Sequence, residues 1–297
     1  MSAEVWTHLW ADWSVAERRR TEAPVTLDAQ TRQMVAANEA DWDARAPLHA
    51  ASRFYSQPAE YWFADYEWAD LGRLDGRDVL HLQCHLGTET IAFARRGARV
   101  TGLDLSRKSL EEARQIAADA EQDVDYVHAN VYDAVDALRG RQFDVVYTGK
   151  GALCYLPDLQ QWAEVVRDLL KPGGTLYIVE FHPLLNALRE VSLPGESDDL
   201  TLRADYLEGR GPIAHDSTVT YTGDEVPGRH RSYEWRHGLG ELVTTLATAG
   251  FHLTTLRESE VLPWPRWPSM QQTPEGWWRL PDEAPRIPLL FALKATR

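Results

Sequence analysis

The residue types that could do chemistry concentrate in one stretch, Val79-Leu80-His81-Leu82-Gln83-Cys84-His85-Leu86-Gly87-Thr88-Glu89-Thr90, and in the acid that ends Arg99-Val100-Thr101-Gly102-Leu103-Asp104. The order reads as a buried strand, a turn, a helix, a second strand and a carboxylate at its end. A carboxylate about twenty residues after such a turn is where nucleotide-binding sheets place an acceptor for ribose hydroxyls. The layout therefore points to an adenosine-containing cofactor. Of the three glycines such a turn usually carries, only Gly87 is present, with Gln83 and His85 at the other two places. Glycine serves where the backbone takes positive φ or approaches a ligand closely, so Gln83 and His85 must keep ordinary dihedrals or tolerate strain.

A second group could handle protons. His182 follows Glu180-Phe181, and His237 follows Tyr233-Glu234-Trp235-Arg236. Imidazole has the acidity range of a general base near neutrality. Each could equally hydrogen-bond a loop. Tyr155 could orient a nucleophile or simply pack. His81 and His85 form an H-x3-H pair, but such pairs bind metal when stacked on one helix, and these fall in a strand and its turn, so no metal site is indicated. Cys84 and Cys154 read as small buried thiols at the ends of neighbouring strands.

These side chains need a scaffold. Strand-like runs near 78–83, 98–103, 124–129, 143–147 and 174–180 alternate with amphipathic helices, the pattern of a mainly parallel sheet with helices on both faces. Ile91, Ala92 and Arg95 lie in a first helix. Ser106 caps a second helix, containing Leu110, Ala113 and Ala117. Asp158 opens a third whose Leu159, Trp162, Val165, Val166, Leu169 and Leu170 share a buried face, ended by a Lys171-Pro172-Gly173-Gly174 turn. The alternation fails over 184–238, where Thr218-Val219-Thr220-Tyr221 and Arg231 to Trp235 suggest a β-hairpin insertion. It returns with Leu239, Leu242, Val243 and Leu246, a strand from Phe251 and a last strand near Ile287 to Lys294. Ahead of the core, Trp6, Trp10 and Trp13 share a helical face, and Met34, Asn38 and Trp42 mark a second helix. The expected organisation is a helical cap over 1–70, a core over 71–183, the insertion over 184–238 and completion of the sheet over 239–297.

Composition narrows the function. The net charge of -14 from 31 Lys and Arg against 45 Asp and Glu opposes a phosphate backbone, which disfavours nucleic acid. Two cysteines build no disulfide framework, and no apolar run approaches a membrane span; a cytoplasmic, soluble protein is expected. The twelve tryptophans are expected to staple cap and carboxyl-terminal segments to the core, with some lining a pocket. Glu111-Glu112 and Arg18-Arg19-Arg20 read as solvated helix surface.

The order of these motifs resembles the class I S-adenosylmethionine-dependent methyltransferases through most of 78–181 and again over 239–297. That family's first turn has the form Asp/Glu-x-Gly-x-Gly-x-Gly; here His81 stands at the acidic place, and Gln83, His85 and Gly87 at the glycines. Asn130, in Ala129-Asn130-Val131-Tyr132, stands where the family often places an Asp beside the adenine amine. Phe143 to Gly149 and Leu170 to Gly174 are similar to its fourth strand and to its turn before the fifth. The Leu-Gln-Cys-His-Leu-Gly turn, Asn130 to Asp133, Glu180 to Pro183 and Tyr233 to His237 are similar to a bacterial small-molecule subgroup. The resemblance implies a Rossmann-like, mainly parallel seven-stranded sheet and an S-adenosyl-L-methionine site formed by His81, Gln83, Cys84, His85, Gly87, Thr88, Asp104, Leu105, Asn130, Val131 and Gly149. His182, His237 and Tyr155 are the substrate-side candidates.

The implied activity is transfer of a methyl group to a small-molecule acceptor, with a homodimer left open. Because S-adenosylmethionine has no pyrophosphate, the missing glycines weigh more against a dinucleotide dehydrogenase, which should show G-x-G-x-x-G where the chain reads His85 to Thr90. A nucleobase amine methyltransferase would carry Asn/Asp-Pro-Pro-aromatic where the chain reads Thr148 to Ala152. The remaining alternative is a catalytically inactive S-adenosylmethionine-binding sensor or scaffold of the same fold.

Overall fold

A computed structural model describes residues 27–188 and 200–297. Trp6, Trp10, Trp13 and the Arg18 to Arg20 run lie outside the described residues. Helices α1 (Ala29–Ala51) and α2 (Asp65–Leu71) precede β1 (Asp78–Leu82), α3 (Thr88–Arg95), β2 (Arg99–Asp104), α4 (Arg107–Asp119) and β3 (Val124–His128). The alternation continues through α5 (Ala134–Ala137), β4 (Phe143–Thr148), α6 (Leu159–Leu169) and β5 (Leu170–Phe181). After α7 (Pro183–Ala187) it is interrupted by an antiparallel hairpin of β6 (Ile213–Val219) and β7 (Glu225–Glu234). It resumes with α8 (Leu239–Thr248) and β8 (His252–Ser259). Three short strands, β9 (Val261–Leu262), β10 (Gln271–Gln272) and β11 (Trp278–Arg279), form a separate small sheet before β12 (Leu290–Thr296).

The main sheet has seven strands in the order β3-β2-β1-β4-β5-β12-β8. Its first five strands are parallel and β12 runs antiparallel to both neighbours. Strand order reverses between β1 and β4, and a crevice outside the carboxyl ends of the strands at that point is where such sheets bind ligands. Successive side chains of each strand point to opposite faces, so both faces need a core. Leu80, Leu82, Val146 and Ile178 pack on one side with Trp162, Val166 and Leu169 of α6 and Leu242 and Leu246 of α8. Val79, Val100, Val145 and Tyr177 pack on the other with Ile91, Phe93, Leu110 and Trp62. A third cluster seats Trp267 and Trp277 against Leu185, Leu262 and Leu290, so part of the tryptophan set does fasten the carboxyl-terminal segment.

Local signals explain the element starts. Ser106 Oγ accepts from Ser109 N at 3.0 Å, and Asp158 Oδ1 accepts from Gln161 N at 2.9 Å, each satisfying an amide that a helix start leaves unpaired. The end of α6 differs from expectation. The helix stops at Leu169, Leu170 already belongs to β5, and Lys171 to Gly174 form a bulge within that strand rather than a separate turn. The β4 to β5 register jumps from Phe143↔Leu170 to Val145↔Thr175. Lys171 holds the bulge, its Nζ donating to Asp78 Oδ2 at 2.7 Å and Asp144 Oδ2 at 2.9 Å.

Helix α1 is attached by polar groups. Asn38 mimics a neighbouring strand: its Nδ2 donates to Tyr233 O at 2.9 Å and its Oδ1 accepts from Tyr233 N at 2.7 Å. Asp43 Oδ1 accepts from Ser106 Oγ at 2.7 Å and Lys108 N at 3.0 Å. The helix is thereby tied to the hairpin at one place and to the start of α4 at another. Among the described residues, no helix is long and apolar enough to cross a membrane.

Candidate functional site

The turn after β1 keeps a glycine's backbone without its glycines. Gln83 has φ 54° and His85 φ 48°, both left-handed, and Gly87 has φ 70°. Left-handed backbone costs a side-chain-bearing residue roughly 1–2 kcal/mol, and such strain persists where the surroundings over-determine it, typically at functional sites. Here the determinants are visible. Gln83 Nε2 donates to Ala152 O at 2.9 Å, and His85 N donates to Asp104 Oδ2 at 2.8 Å. The His85 ring is held at both nitrogens, Nδ1 2.9 Å from Ser109 Oγ and Nε2 3.0 Å from His49 Nδ1. At Gly87 no alternative exists, because a Cβ there would meet the Tyr126 hydroxyl at 2.3 Å.

Asp104 joins the turn to α4. Its Oδ2 accepts from His85 N and its Oδ1 from Ser106 N at 2.7 Å. Burial raises its carboxyl to about 6, against the pull of those two amides. A carboxylate has about four acceptor sites, so each oxygen retains capacity for a hydroxyl.

The crevice is a cavity of about 630 Å³, within the range of small-molecule sites. Every residue expected at the cofactor lines it except Gly87, which lies against Tyr126: His81, Gln83, Cys84, His85, Thr88, Asp104, Leu105, Asn130, Val131 and Gly149 are all present. Gln83 Oε1 is buried and has no hydrogen-bond partner among the described residues. Asn130 spends one acceptor position on Tyr132 N at 3.1 Å and keeps another. Burial pushes the Cys84 thiol well above its ordinary range, leaving it inert.

A roof closes the cavity from above the turn. His49 of α1 bonds His85, Tyr221 Oη lies 3.3 Å from His49 Nδ1, and Tyr55 and Tyr221 are joined through their hydroxyls. Burial and the Arg45 charge push His49 down to about 4, and burial with His49 beside it holds His85 well below the usual histidine range, so the linked rings are neutral at pH 7. Trp42 meets both His85 and Tyr155 edge-on, with centroids 4.9 and 5.5 Å away. Phe54, Trp62, Phe181 and Trp264 extend the aromatic wall.

The three substrate-side candidates separate. Tyr155 lines the cavity, and burial raises its phenol well above the ordinary value. His237 also lines it, but both ring nitrogens are engaged by protein groups, Nδ1 at 2.9 Å from Glu241 Oε2 and Nε2 at 2.8 Å from Leu156 O. His182 is not among the lining residues. Its Nδ1 accepts from Leu184 N at 3.1 Å, capping α7, and its Nε2 lies 2.9 Å from Glu258 Oε1. The loop-bonding alternative describes it better, because the strand end turns its ring away from the crevice.

Several site residues carried no signal of function in the sequence. Tyr55, Tyr221 and Glu89 line the cavity, and only the last lies near a motif. Glu180 does belong to a noted motif, and its role is now visible: Oε2 accepts from Ala152 N at 2.8 Å and Leu153 N at 2.9 Å, shaping the loop that follows β4. Lys150 lines the wall with its Nζ donating to Trp62 O at 2.7 Å, 3.8 Å from the fully buried Glu67, whose carboxyl burial raises to about 7.

Comparison with known proteins accords with this geometry. Residues 80–176 match a family described as a methyltransferase domain. A ubiquinone biosynthesis O-methyltransferase of Alkalilimnicola ehrlichii is 38% identical over 110 residues, covering 37% of this chain and 44% of that relative. The chain spans about half the length of the curated relatives it matches. A crystal structure of an S-adenosylmethionine-dependent methyltransferase from Mesorhizobium loti superimposes with a TM-score of 0.54 at 24% identity, covering 82% of this chain and all of the other. A DhpI structure in complex with S-adenosylhomocysteine gives a TM-score of 0.54 at 17% identity, covering 89% of this chain and 97% of the other. These likenesses establish the seven-stranded fold, and the motif match falls on the turn and strands that form the cavity. Residues 80–176 thus match a methyltransferase domain, within a fold shared with S-adenosylmethionine-dependent methyltransferases.

Proposed function

We propose that the protein is an S-adenosylmethionine-dependent methyltransferase acting on a small-molecule acceptor by direct displacement. The observation that carries the reading is the left-handed turn at Gln83, His85 and Gly87 with Asp104 bonded to it, at the floor of the cavity. Asp104 would hold the ribose, Asn130 and Val131 the adenine, and the turn with Gly149 the methionine portion. The cofactor supplies a methyl group activated on a sulfonium, so the protein's task is alignment and exclusion of water.

The rest follows from the walls. Helix α1 and the β6–β7 hairpin act as a lid over the core of 71–183 and 239–297. The aromatic surfaces of Trp42, Tyr55, Trp62 and Trp264 seat a compact acceptor, and Tyr155, held as a phenol, donates to it. With both His237 nitrogens engaged and His182 outside the cavity, the acceptor sheds its proton to water or arrives ionised. The acidic surface supports a small metabolite over nucleic acid, and a cytoplasmic setting fits the two free cysteines. The relatives named as O-methyltransferases favour an oxygen acceptor.

Calorimetric titration with S-adenosylmethionine, followed by incubation of metabolite extracts with methyl-labelled cofactor, tests this. Micromolar binding and a labelled product are expected. Absence of binding sinks the reading; binding without label transfer to any acceptor marks a sensor instead.

A further inference from the structure

The place where the related turns carry an acid at the end of the first strand is taken by His81, and this histidine brings no negative charge. Its ring is buried, Nδ1 lies 2.8 Å from Thr90 Oγ1, and burial lowers it to about 4. The cavity nevertheless holds a carboxylate beside that ring. Glu89, two residues beyond Gly87, lines the cavity, and its Oε2 accepts from Thr88 Oγ1 at 2.7 Å. Gly149 at the end of β4 locates it: the point a Cβ would occupy there is 3.5 Å from His81 Nε2 and 3.6 Å from Glu89 Oε1. The imidazole and the carboxylate thus face the same open spot on the wall, kept free by a glycine.

No cation among the described residues answers this carboxylate. Among the described residues Glu89 forms no ion pair, and the nearby Lys150 has turned its Nζ to Trp62 O and Glu67. A half-buried carboxylate lining a cavity with no charged partner is stabilised when a ligand brings the opposite charge. Its place in the first turn of α3 is electrostatically favourable but does not replace that partner.

We propose that Glu89 receives the α-ammonium group of the cofactor's methionine portion, with Thr88 holding the carboxylate in position. The inference rests on the S-adenosylmethionine reading and assigns one contact within it. In this chain the carboxylate stands at the start of α3, and a neutral His81 ring occupies the strand.

The test compares S-adenosylhomocysteine with 5′-S-(3-carboxypropyl)-5′-thioadenosine, which lacks only the amino group, by calorimetry on the wild type and on Glu89→Gln. The wild type should prefer S-adenosylhomocysteine by about tenfold or more, the usual worth of a hydrogen bond to a charged group. In Glu89→Gln the preference should shrink toward unity, with affinity for the amino-free probe kept within about twofold. Thr88→Val, a milder change, should reduce the preference part of the way and covers the case in which Glu89→Gln fails to fold. An undiminished preference in both variants overturns the assignment, as does equal loss of both ligands. A wild type that binds neither ligand instead removes the underlying methyltransferase reading.

Discussion

The floor and the roof of the cavity are built by different means. The floor is backbone geometry: three left-handed residues in one turn, a carboxylate one strand away, and a glycine at the end of β4, all placed by the parallel register of β2, β1 and β4. The roof is side-chain chemistry between distant segments, with His49 reaching His85 across 36 positions and Asn38 reaching Tyr233 across 195. The lesson is a division of labour. The floor depends on where the strand register takes the backbone, whereas the roof depends on which side chains distant segments present, and the two meet at the His49 to His85 contact.

The comparison breaks most readily at Asp104. Asp104→Ala removes the proposed acceptor for the ribose hydroxyls and the link from His85 N to Ser106 N. Loss of two hydrogen bonds to a charged group is expected to weaken S-adenosylmethionine binding about a hundredfold or more, read by calorimetry. Unchanged affinity would mean that the floor does not hold the ribose at all.

The same carboxylate gives the floor a pH signature. Burial raises Asp104 to about 6, and the ribose contact uses the ionised form. The sign follows directly: cofactor affinity is full above that value and falls as pH drops through it. One unit below, about a tenth of the molecules retain the charge, so affinity at pH 5 should be about tenfold weaker than at pH 7. Asp104→Asn should flatten the profile. A wild-type profile level between pH 5 and 7 contradicts the assignment.

The roof should respond differently. Tyr221→Phe removes the hydroxyl that joins Tyr55 to His49 while keeping the ring. Turnover with an identified acceptor is expected to fall several-fold, with cofactor affinity within about twofold of wild type, since the deleted contact belongs to closure over the acceptor. Loss of cofactor affinity equal to the loss of turnover would show that floor and roof are one unit.

The same division explains what the sequence disclosed. The strands, the Ser106 and Asp158 caps and the Asp104 position were legible because they depend on hydrophobic period, capping residues and spacing, which are local. Gln83 and His85 were legible as glycine substitutes, yet their dihedrals were not, since the bonds to Ala152, Ser109 and His49 that enforce them come from other parts of the chain. Lys171 to Gly174 read as a turn because proline and glycines usually end elements; the salt bridges to Asp78 and Asp144 turn it into a bulge. His182 looked like a base because nothing local reveals that its ring faces Glu258. Tyr55 and Tyr221 carried no signal, for a tyrosine in a loop acquires a role only when the lid folds over the sheet.

Gln83 is where the floor's dependence on backbone can be measured most finely. Glycine at this position would relieve roughly 1 kcal/mol of left-handed strain, and the lost Gln83 Nε2 to Ala152 O bond would cost about as much. Gln83→Gly should therefore leave the unfolding free energy within about 1 kcal/mol of wild type. Cofactor affinity discriminates further. The Gln83 side chain lines the cavity, and its removal is expected to weaken cofactor binding a few-fold. If stability and affinity both hold, the side chain is only a filler that the turn's backbone tolerates. If affinity alone falls, the glutamine was retained for its contact, and the strain in this turn is part of how the site recognises its ligand.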